Sequence, residues 1–184
     1  MVVLKQLNTA ADFWLEMVVP DCSDYLAAES NLRRALHASI SLFHMSDWVF
    51  HTHEAQVRSA FTYTDSKSTV RPVSKASEFA TALEQQNADF GRIRGIANAA
   101  KHLELTDIRP VPNAPSHAAN TAIQTEFVGA GGYGCAGGYN QGGVAYGASP
   151  KVMLAGPNGS DMEFSNILRS VYRMWETLKC TYGW

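Results

Sequence analysis

The stretch Asp89-Phe90-Gly91-Arg92-Ile93-Arg94-Gly95-Ile96-Ala97-Asn98-Ala99-Ala100-Lys101-His102-Leu103-Glu104-Leu105 decides the fold class. At about 100° per residue, Ile93, Ile96, Ala100 and Leu103 share one sector of a helix, and Gly91, Arg94, Gly95, Asn98 and His102 share the opposite one. The first sector is a core stripe. The second places an Arg, an Asn and a His at four-residue steps beside two glycines. Glycine inside a helix costs roughly 1 kcal/mol relative to alanine, so the pair implies that a neighbouring backbone or a ligand comes close to this face.

Working outward, the same periodicity predicts four more helices. Thr9 is an N-cap for a helix over 9–19, with Phe13, Trp14, Met17 and Val18 as its apolar stripe and Pro20 as its stop. No Pro or Gly interrupts residues 24–53, and the spacing predicts one long helix over 23–53 with Tyr25, Leu32, Leu36, Phe43 and Phe50 on one side. Ser77 and Glu78 open a helix over 76–87, and Asn87 or Asp89 caps the helix over 88–105, which Pro110, Pro112 and Pro115 cannot continue. A last helix covers about 160–182, with Phe164, Leu168, Val171, Met174, Trp175 and Leu178 inward and Gly183 as its stop.

The remaining segments read differently. Residues 60–75 lack helical period, contain Pro72 and form a long connection. Residues 120–128 and 151–155 alternate as strands, with Met162 to Phe164 as a third short strand or the lead-in to the last helix. Between them lies the glycine-rich loop 129–147, whose large anchors are Tyr133, Tyr139 and Tyr146. The expected fold is mainly α (α+β): one domain over 1–184, a five-helix bundle with a small antiparallel β element near the C-terminal third.

Composition narrows the function classes. The 184 residues carry a net charge of −2, with 46% hydrophobic and 17% charged residues, which describes a compact globule with no overall basic surface for nucleic acid. Cys22, Cys135 and Cys180 are odd in number, widely spaced and without a Cys-x-x-Cys pair, so a reducing, cytoplasmic setting is expected. The uncharged run from Phe127 to Pro150 is too rich in glycine and amides to span a membrane. No cofactor motif survives inspection. Gly129-x-Gly131-x-x-Gly134 follows a strand, but more glycines and tyrosines stand where a dinucleotide-binding helix must begin. The tyrosine-anchored tract is instead expected to pack on its own domain or on a second copy, giving a homodimer or other homo-oligomer.

Candidate site residues fall on two helices. On the long second helix, Ser30, Arg33, Arg34, His37, Ser41, His44, Trp48 and His51 lie on roughly one side. His37, His44 and His51 recur every seven residues, about 10.5 Å apart along the axis, so no two of them share a metal ion. Ligand spacing on one helix is three or four residues. Only His44 with Asp47 and Asp47 with His51 meet it, and either pair needs a further ligand such as His102. On the fourth helix the candidates are Arg94, Asn98, Lys101 and His102. An Arg and a His in one site supply the phosphate-charge partner and the proton carrier that RNA cleavage needs.

The phrase Ile96-Ala-Asn-Ala-Ala-Lys-His-Leu103, with helices two and four, resembles the helical core of HEPN domains and of uncharacterised bacterial proteins with an Asn-x-x-Lys-His helix. The resemblance implies a helical bundle, often dimeric, and in many HEPN members a metal-independent RNase using an Arg and a His four to six residues apart. Seven residues separate Arg94 from His102 here. Three functions are therefore expected in order: a binding or accessory module without catalysis, with Arg34, His37, His44, Asn98 and Lys101 as binding residues; an RNase or nucleotide-binding module using Arg94 and His102; and a metal-dependent enzyme using His44, Asp47 and His51.

Overall fold

The computed structural model describes residues 7–100, 124–128, 149–155 and 161–184. Its helices are α1 (Ala10–Phe13), a π-helical turn (Trp14–Val18), α2 (Val19–Leu26), α3 (Leu32–Thr52), α4 (Glu54–Ala60), α5 (Ala76–Gln86), α6 (Ala88–Ala99) and α7 (Phe164–Tyr182). The first three form one continuous rod, so the described chain is a mainly helical fold of six helices rather than five. The strands are β1 (Thr62–Thr64), β2 (Val70–Pro72), β3 (Gln124–Val128), β4 (Ser149–Ala155) and β5 (Asp161–Glu163).

The rod starts where Thr9 and Asp12 cap each other: Thr9 Oγ1 accepts from the Asp12 N–H at 3.0 Å, and Asp12 Oδ2 accepts from the Thr9 N–H at 3.0 Å. It does not stop at Pro20. The π-helical turn carries a wider bond from the Val19 N–H to the Trp14 carbonyl, and Pro20 then falls in the first turn of α2. A missing N–H breaks no bond of that helix there, so the rod runs on to Leu26.

The uninterrupted helix over 23–53 is also corrected. The chain leaves helical geometry between Ala27 and Asn31, and Asn31 caps a new helix by accepting from the Arg34 N–H at 3.2 Å. Tertiary bonds hold this break open. The Glu29 carbonyl accepts from the Val152 N–H at 2.9 Å, while its carboxylate meets Arg169 at 3.0 Å and Lys151 at 3.8 Å. Lys151 also meets Glu163 at 2.8 Å, so four charges tie the α2–α3 corner, β4, β5 and α7 together.

In α3 the buried line is Ala35, Ala38, Leu42, Met45 and Val49, and Leu32, expected in the core, is exposed. This line packs on α6, on the rod and on α7. Trp175 of α7 is fully buried, and its Nε1–H donates to the Leu42 carbonyl at 3.1 Å. Burial of a side chain this large stabilises the fold by about 3 kcal/mol, and the donated bond removes the cost of hiding the indole N–H.

Residues 60–75 are more regular than expected. After α4, β1 and β2 pair antiparallel with Thr62 opposite Pro72. Their turn closes on Asp65, whose carboxylate accepts from the N–H groups of Lys67 and Thr69 at 2.9 Å and from Arg71 Nε at 2.6 Å. Gln85 of α5 binds Thr64 through both its amide atoms, at 2.8 Å each, and so occupies the outer edge of β1. Near the C-terminal third, β3, β4 and β5 form an antiparallel meander in that order, with Val128 opposite Ser149 and Met153 opposite Glu163.

The chain end closes one side of the bundle. Gly183 takes a left-handed φ of 74°, which turns Trp184 back onto Tyr182 (centroids 4.9 Å), His53 (5.9 Å) and Phe61 (6.2 Å). Trp184 Nε1–H donates to Gln56 Oε1 at 2.7 Å, and Gln56 Nε2–H donates to the Tyr182 carbonyl at 3.0 Å. Among the described residues, no helix is long and apolar enough to cross a membrane. Residues 101–105 of the helix expected over 88–105, residues 120–123 of the first expected strand, Cys135 and the glycine-rich loop 129–147 lie outside the described residues.

Candidate functional site

On the glycine-notched face of α6, the space beside Gly91 is filled. A Cβ added at Gly91 would lie 2.8 Å from Cγ and Oε1 of Glu84, which reaches across from α5. The Glu84 carboxylate accepts from Arg94 Nη1–H at 3.1 Å, and Thr81 Oγ1 lies 3.5 Å from the same nitrogen. Burial raises the Glu84 carboxyl above its ordinary value, against the pull of the Arg94 charge. At Gly91 the close approach expected on this face is therefore made by an ion-paired side chain of the neighbouring helix. Asn98 is half-buried further along α6, and Lys101 and His102 lie outside the described residues.

Among the described residues, a cleft lies elsewhere, between the rod and α3. Phe13, Met17 and Asp21 stand at four-residue steps along the rod and form one wall, and His37, Ile40, Ser41, His44 and Trp48 of α3 form the other. They border an open space of about 430 Å³. Phe13 and Trp48 stack with centroids 5.1 Å apart and planes 15° apart, so the two walls meet on a flat aromatic surface. The π-helical turn matters here. It carries Met17, 39% exposed, and it lets the rod continue past Pro20 to bring Asp21 and Asp24 opposite α3.

Two of the polar side chains that line this space hold partners within the protein. Ser41 Oγ–H donates to the His37 carbonyl at 2.9 Å, and His44 Nδ1 and Asp47 Oδ2 are 3.2 Å apart. At the mouth the character reverses. A second space of about 80 Å³ is lined by Asp21 and Asp24 from α2 and by Arg33, Arg34 and His37 from α3. Asp21 and His37 border both spaces. Arg34 Nη1–H donates to the Asp24 carbonyl at 2.9 Å. Among the described residues, the carboxylates of Asp21 and Asp24 make no ion pair with Arg33, Arg34 or His37.

The candidate residues of α3 thus divide. Arg34, His37 and His44 line the cleft and its mouth, whereas His51 is exposed beyond it and Asp47 reaches the cleft only through His44. His44, Asp47 and His51 do not converge on one point, and among the described residues no three His, Cys, Asp or Glu side chains are grouped to hold a metal ion. The opposite wall escaped the sequence reading. Phe13, Met17 and Asp21 recur at a helical interval, a legible signal, but taking Pro20 as a stop cuts Asp21 off from the other two.

Set beside known protein families, curated proteins and solved structures, the chain matches none of them.

Proposed function

We propose that this chain is a non-catalytic binding module whose ligand enters the cleft between the rod and α3. The observation that carries the proposal is the open chamber of about 430 Å³ walled by Phe13, Met17, Ile40 and Trp48, with its charged groups gathered at one end. An aromatic group buries about 150 Å², worth about 4 kcal/mol at ~25 cal/mol per Å², and the freedom lost on association offsets much of that, so apolar contact alone gives binding no tighter than about millimolar. The HEPN-like resemblance belongs to the same proposal and rests on the phrase from Ile96 to Leu103. For the RNase and metal readings the described residues offer less support: Arg94 is committed to Glu84, and His44, Asp47 and His51 do not converge.

The test is a titration with neutral indole, followed through the methyl resonances of Met17 and Ile40. Both are expected to shift saturably at millimolar indole. Ile40→Trp fills the chamber from α3, and Met17→Trp fills it from the exposed side of the rod, so both variants are expected to abolish the shifts while circular dichroism stays helical. Shifts scattered over the surface, or persisting in the folded Met17→Trp variant, overturn the proposal.

A further inference from the structure

The two walls of the cleft mouth carry opposite charge. Asp21 and Asp24 stand on α2, Arg33, Arg34 and His37 stand on α3, and about 80 Å³ of space lies between them. Among the described residues, the side-chain bond across the gap runs from Arg34 to a backbone carbonyl, that of Asp24, at 2.9 Å, and not to either carboxylate. The carboxylates on one side and the guanidinium of Arg33 on the other keep their binding capacity toward a third party. A purely anionic head meets Asp21 and a purely cationic one meets Arg33 and Arg34, so each suffers repulsion from one wall. A head carrying both signs satisfies both walls. The chamber behind it, in which Ser41 and His44 already hold protein partners, offers little to the polar edges of a nucleobase.

Resting on the reading of the cleft as a binding site, the geometry points to a free α-amino acid with a large apolar side chain as its ligand. The ammonium faces Asp21 and Asp24, and the carboxylate faces Arg33, Arg34 and His37. The side chain enters between Met17 and Ile40 toward the Phe13–Trp48 stack.

Calorimetric titration of the full chain with four probes tests this: phenylalanine, 3-phenylpropionate, phenethylamine and neutral indole. Phenylalanine is expected to bind at least about tenfold more tightly than each of the other three, since every missing charge leaves one wall without a partner. Asp21→Asn is expected to erase most of the advantage over 3-phenylpropionate, and Arg33→Gln most of the advantage over phenethylamine; both residues are accessible enough for the fold to tolerate the change. If either single-charge analogue or indole matches phenylalanine, the amino-acid inference falls and the cleft reading survives. If no ring compound binds, both fall.

Discussion

Replacing Gly91 with alanine tests the account of α6 most sharply. Alanine in place of a glycine within a helix, here the fourth residue of α6, gains up to about 1 kcal/mol of helix propensity, and by that alone the variant is more stable. The new Cβ, however, would lie 2.8 Å from Cγ and Oε1 and 3.0 Å from Cδ of Glu84. That side chain is only 13% exposed and is held by Arg94 at 3.1 Å. Moving it breaks a charged hydrogen bond worth about 1.5–3 kcal/mol and overpacks the α5–α6 contact at a cost of about 1–3 kcal/mol. The net expectation is a loss of about 2 kcal/mol, or roughly 6 °C in Tm for a chain of this size. In a Glu84→Ala background the three atoms nearest the Cβ are gone, so Gly91→Ala is expected to become stabilising by about 1 kcal/mol. Urea unfolding of the four proteins of this double-mutant cycle reads the change of sign as a coupling of about 3 kcal/mol. The same sign in both backgrounds refutes the reasoning.

Three further outcomes are expected. Trp184→Ala removes the stack on Tyr182, His53 and Phe61 and the bond to Gln56; because the ring is half-buried, the loss is about 2 kcal/mol, below the range for a fully buried tryptophan, and a melt indistinguishable from wild type contradicts it. Glu78 accepts from the Ser74 hydroxyl at 2.7 Å, from the Ser74 N–H at 2.9 Å and from Tyr63 at 3.0 Å, which lowers its carboxyl to about 2. A depressed folded-state value means stability that is complete above the ordinary glutamate range and disappears as pH falls toward about 2, so Glu78→Gln is expected to flatten the denaturant midpoint across that window. Burial first, and the Asp21 charge second, push the Cys22 thiol up to about 12, whereas Cys180 is exposed. Iodoacetamide at neutral pH followed by peptide mapping should find Cys180 alkylated and Cys22 intact.

Much of the site was legible only by half. The α3 residues Arg34, His37 and His44 stand out from the sequence because they share a polar side on a helix that must be largely buried. Their partners Phe13, Met17 and Asp21 sit on a rod whose continuity depends on one π-helical turn before Pro20, and a local rule that proline ends a helix hides it. Gly91 carried a true signal of close approach. Its meaning depended on Glu84, seven residues upstream on another helix, and helical spacing within one segment says nothing about what a different segment brings across.

What the sequence by itself determined is the helical character of the chain, through apolar residues at 3.6-residue period, and several helix ends, through Thr9, Asn87 and Gly183. Those are short-range effects, fixed by backbone groups within a turn or two of the residue concerned. Only the tertiary structure decided where residues 27–31 break, because the Glu29 carbonyl and carboxylate are held by Val152, Lys151 and Arg169 from more than a hundred residues away. The cleft belongs to the same class: its volume exists between two helices, and no property of either one alone sets it.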